Sequence, residues 1–193
     1  MSASFRDTED VFAYMQLNLV QATFRGEPQR FLKKSAFDII TTKQNIRLVI
    51  DEEESLYLNE EELDTLVDQV ARKGKRLFAT CVQGSIPMTC LKLLLEKGLT
   101  DADMPLAKDH CPGTSPKRNF VSSFIPNQAL FNTAYFELDG YQDLKGLTKP
   151  IEHDENKLIG RGAFGSVYEV HVHPGYSSFA DVSILAFVYG PSS

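Results

Sequence analysis

The apolar residues of this chain change their period once, and that change limits what it can fold into. From Phe5 to Gly98 they recur every three or four positions, the spacing of helices with one buried face. After Gly165, in "SVYEVHVH", β-branched and aromatic residues alternate with polar ones, the spacing of a strand. The expected class is therefore mainly α, in the α+β sense: a helical bundle over residues 1–100 with a β-hairpin near the far end. Residues 101–150, rich in proline, glycine and aromatic side chains, read as a linker and a segment that packs on the bundle. Pro150 marks a boundary before residues 151–193.

The helical part can be read piece by piece. "TEDVFAYMQLNLVQATF" offers Thr8 as a cap and an apolar face of Val11, Met15, Leu19 and Ala22, with Phe12 and Val20 beside it. "EPQRFLKKSAF" is expected to start a second short helix, with Pro28 in its first turn. "TTKQNIRLVIDEE" fits a third helix or a short strand. The clearest element is "NEEELDTLVDQVARKG". Asn59 and Glu62 have capping-box spacing, Leu63, Leu66, Val67 and Val70 form one face, and Gly74 can close the helix in a left-handed conformation. "KRLFATCVQG" and "IPMTCLKLLLEKG" follow as helices, the second ended by Gly98.

Composition narrows the function. A net charge of −6 argues against nucleic acid and against an anionic membrane surface, since both need clustered cations. No apolar run approaches the roughly 20 residues that span a bilayer. The N-terminus has no basic region followed by an apolar one, and three cysteines give no disulfide framework. A reducing intracellular compartment, cytoplasmic or nuclear, is expected. "DEEESLYLNEEELD" (Asp51–Asp64) places eight carboxylates in fourteen residues. It reads first as a solvated helix start, where anions are favoured, and second as an acidic docking patch. His110, Cys111, Cys81 and Cys90 lack the paired spacing of zinc ligands. His171 and His173 share a strand face but make two ligands at best, so no metal site is expected.

"KLIGRGAFGSVYEVHVHPGY" (Lys157–Tyr176) carries the one motif with chemistry in it. Gly160, Gly162 and Gly165 fit G-x-G-x-x-G. The alternation that follows argues for a strand, not the helix of a dinucleotide-binding fold, and no Lys-Ser or Lys-Thr follows to make a Walker A loop. Val167 completes G-x-G-x-x-G-x-V, with Phe164 aromatic at the tip.

This segment resembles the first two strands of a protein kinase. With "ARKGKRLFATCVQGSIPMTCLKLLLEKGLTDADMPL" upstream, the chain is similar to kinase-like proteins of filamentous fungi that carry a helical domain ahead of the kinase domain. The resemblance implies that Ile159 and Val167 sandwich adenine. The backbone N–H groups of Arg161, Gly162, Ala163, Phe164, Gly165 and Ser166 would then lie over the phosphates, with Gly160 allowing close approach. It implies ATP with magnesium as cofactor and serine/threonine phosphorylation as the ancestral activity.

The chain also departs from that pattern. No lysine follows Lys157, and neither a His-Arg-Asp nor an Asp-Phe-Gly sequence is present. No catalytic residue is therefore nominated. Residues 151–193 read as a truncated N-lobe fragment, from a shortened gene product or a decayed kinase, that should hold ATP poorly and be inactive by itself. The alternative is a non-enzymatic module in which the helical domain binds a protein partner.

Overall fold

The computed structural model describes residues 5–24, 26–112, 117–136, 146–162, 165–177 and 183–188. The chain forms two compact units, Met1–Leu19 with Leu32–Asn132, and Val20–Phe31 with Thr133–Ser193. The expected mainly helical α+β class is what the chain adopts. The division differs from breaks at 100 and 150, because residues 20–31 join the second unit and 101–132 the first.

Helix α1 (Thr8–Leu17) is capped by Asp7, not Thr8: the Asp7 carboxylate accepts from Asp10 N at 2.8 Å. Thr8 instead donates from its N–H and hydroxyl to Glu52, at 2.8 and 2.6 Å. The helix stops before Leu19 and Ala22. Asn18 turns its amide back onto Tyr14 O at 2.9 Å, offering the chain a local alternative to another helical turn.

Residues expected to be helical then form a hairpin, β1 (Leu19–Phe24) and β2 (Glu27–Leu32). Gly26, at φ +74°, supplies the left-handed turn residue. Pro28 falls in β2, where a two-stranded sheet leaves room for a residue without an N–H. The second helix of the chain starts later than expected, as α2 (Lys34–Ile40).

The open choice at residues 41–53 resolves as helix α3 (Lys43–Asp51), capped by Thr42 and burying Ile46, Val49 and Ile50. In α4 (Glu60–Lys73) the capping box is complete: Glu62 N donates to Asn59 Oδ1 at 3.0 Å, and Asn59 N to Glu62 Oε2 at 2.9 Å. Its apolar face is buried as the spacing requires. Gly74, however, is not left-handed; its φ is −135°. A Cβ there would stand 3.2 Å from Leu95 Cδ2, so close packing between helices, not backbone conformation, calls for glycine. Gly98 does close the next turn left-handed, at φ +80°.

α5 (Lys75–Gln83) is the centre of the helical unit, with Leu77 to Val82 all buried. α1, α4 and α6 (Met88–Glu96) pack against it. Phe78, Leu91 and Leu94 are fully buried, each worth about 1.5–3 kcal/mol of transfer free energy.

Residues 101–132 are a packed return. The Asp101 carboxylate caps α5 by accepting from Arg76 N at 2.9 Å and Leu77 N at 3.1 Å. Burial pushes its carboxyl up, against the pull of those donors. Gln128 grips both the N–H and the carbonyl of buried Leu106, at 2.7 and 2.9 Å. Helical segment α7 (117–130) widens to a π-turn over Phe120–Phe124, with Ile125 N bonded to Phe120 O. That wider turn comes just before Pro126, whose ring would clash with a regular α-helical carbonyl four residues back. Phe120 and Phe124 stack at 4.7 Å and join the helical core.

The second unit contains the β1–β2 hairpin and an antiparallel sheet in the order β3 (Ile151–Gly162), β4 (Gly165–Val172), β5 (Ser183–Val188). Its small core is Ala22, Phe31 and Tyr176, with Val20 and Val172 against it. Among the described residues no helix is long and apolar enough to cross a membrane.

Candidate functional site

The glycine-rich segment is a strand, a tight reversal and a second strand. Gly162 pairs with Gly165, Arg161 with Ser166 and Gly160 with Val167. Those pairs place Ile159, Gly160, Arg161 and Gly162 on β3, and Gly165, Ser166 and Val167 on β4. Ala163 and Phe164, which separate the strands, lie outside the described residues.

Leu158 pairs with Tyr168 while Gly160 pairs with Val167, so β3 has one residue more than β4 here. That extra residue is Ile159, and the bulge leaves it 56% exposed. A Cβ built on Gly160 would meet nothing within 4 Å. Among the described residues, no packing contact asks for glycine at this position.

Alternation along β4 separates the two faces of the hairpin. Val170 is buried and Val172 packs on the small core, whereas Val167, Glu169 and His171 share the opposite face with Gly160. Lys157 lies on that face too, its Nζ 3.1 Å from His171 Nε2 and 3.9 Å from Glu169 Oε1. Lys157 lies five positions before Gly162, on the order of 15 Å at strand rise. The Lys157 ammonium is thus far from the tip and already faces a carboxylate. β5 pairs along β4 from Ser166↔Val188 to His171↔Ser183 and contributes no lysine.

The other candidate residues do not assemble into a site. β4 ends at Val172, and the His173 ring turns to Phe31, 5.3 Å away, so His171 and His173 do not converge. His110 Nδ1 accepts from Ala107 N at 3.0 Å, which is a local turn bond. Cys81 and Cys90 are buried in the helical core. Burial raises both thiols, that of Cys90 to about 12. Among the described residues no group of three or more His, Cys, Asp or Glu could hold a metal ion.

A second concavity lies in the helical unit. It is an open cleft of about 720 Å³ between α1, the end of α3 and the α5–α6 turn. Sequence reading missed it because its walls are brought together from three separate stretches of chain.

No protein-family model, curated protein or solved structure matches this chain.

Proposed function

We propose that the β3–β4 hairpin is a nucleotide-phosphate cover of the protein-kinase type, and that these 193 residues alone do not transfer a phosphoryl group. The observation that carries the reading is the pairing of Gly162 with Gly165 across a two-residue tip. Beside it, Gly160 sits in open space and Ile159 is exposed. Glycine in a strand costs about 0.5–1 kcal/mol relative to alanine. A cost that the fold does not recover supports close approach by something outside the chain. Ile159 and Val167 would then contact the adenine ring, and the N–H groups from Arg161 to Ser166, including Ala163 and Phe164 at the tip, would face the phosphates.

Phosphoryl transfer needs a cation on the phosphates, held metal and a group to orient the hydroxyl. β5 carries no lysine, and the described residues give magnesium no cluster of ligands. ATP would therefore bind weakly, with a Kd of about 1 mM or more. Saturation-transfer NMR with ATP tests this: contact is expected at the ribose and adenine protons and should vanish in the Gly162→Val/Gly165→Val double variant. An unchanged signal in that variant refutes the reading. Radiolabel from ATP on a protein acceptor, with purified chain as sole catalyst, refutes the inactivity.

A second reading is favoured by the cleft of the helical unit: a module that binds a protein partner. Its test is whether partners cross-linked to the full chain are lost when Ala13, exposed at the cleft, is changed to arginine. The thiols of Cys81 and Cys90, kept unbridged in the helical core, support a reducing, intracellular setting for either role.

A further inference from the structure

Resting on that second reading, we infer that the cleft between α1 and the α5–α6 turn docks a lysine- or arginine-rich protein segment through apolar anchor side chains. The floor is apolar: Val49, Val82, Ile86 and Met88, each no more than 5% exposed. Above it stands Phe12, 37% exposed on a helix whose neighbouring Val11 and Met15 are fully buried. An aromatic ring left half in water beside an apolar floor gains from being covered, at about 25 cal/mol per Å².

The rim gives the partner its charge. Glu9, Glu52 and Glu53 line the cleft, and among the described residues no lysine, arginine or histidine does. Glu9 makes no hydrogen bond or ion pair among the described residues. Glu52 receives Thr8 through Oε2 alone, which leaves Oε1 for a ligand. The Glu53 carboxylate takes Met88 N at 3.1 Å and Ser55 Oγ at 2.6 Å, bonds from neutral donors that leave its charge uncompensated. Three carboxylates in a concave, apolar-walled site concentrate a negative potential, which favours a cationic occupant.

Other occupants fit less well. A metal ion would need ligands that converge, and no such group exists among the described residues. A second copy of the chain would bring its own net charge of −6 to a negative cleft. A small ligand would be poorly enclosed, since the cleft is open to solvent; a chain segment can lie along it.

The test is NMR titration of the full chain with two sets of synthetic peptides. Both sets carry two leucines one helical turn apart; one set surrounds them with lysine and arginine, the other with glutamate. For the basic set, saturable shifts are expected at Phe12, Ala13, Ser85 and Ile86. Binding should weaken as salt rises, by about threefold in Glu9→Gln and by about tenfold in Ala13→Arg. Equal binding of the acidic set would overturn the cationic partner while leaving a docking module. Absence of saturable binding by either set would overturn both. Shifts that map away from the cleft, or that survive Ala13→Arg, would overturn the site.

Discussion

A methyl group is the smallest probe of whether Gly160 serves the fold or a ligand. Its added Cβ would stand in open space, so Gly160→Ala should stabilise the hairpin by about 0.5–1 kcal/mol. On the nucleotide-cover reading proposed above, the same methyl group would stand where a phosphate or ribose approaches. Slower hydrogen exchange at the Val167 amide together with weaker ATP contacts is the expected pair of outcomes; stabilisation with unchanged contacts would leave Gly160 without a ligand role. Gly74 is the opposite case. Its missing Cβ makes room for Leu95, which the sequence could not show, because the two residues lie 21 apart and meet only when α6 folds back toward the α4–α5 junction. Neither position declares its role in the sequence, and only the surrounding atoms tell the two glycines apart.

At the scale of elements, legibility followed how local the stabilising contacts are. The α4 start was readable because Asn59 and Glu62 satisfy each other's N–H groups three residues apart. Asn59→Ala should cost about 1 kcal/mol, measured as a lower midpoint of thermal unfolding; an unchanged midpoint would mean the box contributes nothing. Residues 19–32 were misread for the complementary reason. Their apolar positions fit either period, and the helix is ended by Asn18 and the reversal is made at Gly26, two small signals inside an apolar run. Ala22 and Phe31 then find a partner in Tyr176, far along the chain. The strand faces of β4 were readable from alternation, whereas the bulge at Ile159 was not, since it is a property of two strands in register.

For the whole molecule, chemistry at the thiols reports whether the helical core is as closed as described. Cys81 and Cys90 lie in that core and their thiols are raised by burial, Cys90 to about 12. At pH 8 the thiolate fraction of a group with that pKa is about one in ten thousand. Cys111, half-buried at the edge, should react with a disulfide reagent in the folded chain, and Cys81 and Cys90 only once denaturant opens the core. Rapid reaction of all three under native conditions would contradict the packing of α5 against α6. The sequence by itself determined what is settled within a turn or two of chain: the cap of α4, the amphipathic faces of α4 to α6, and the strand character on both sides of the glycines. Tertiary structure alone decided that adjacent residues Phe31 and Leu32 serve different cores, that the carboxylates of Glu9, Glu52 and Glu53 border one cleft, and that Lys157 lies far from the glycine tip. The physical reason is that burial and charge act through space, and the distances that set them appear only when remote segments pack.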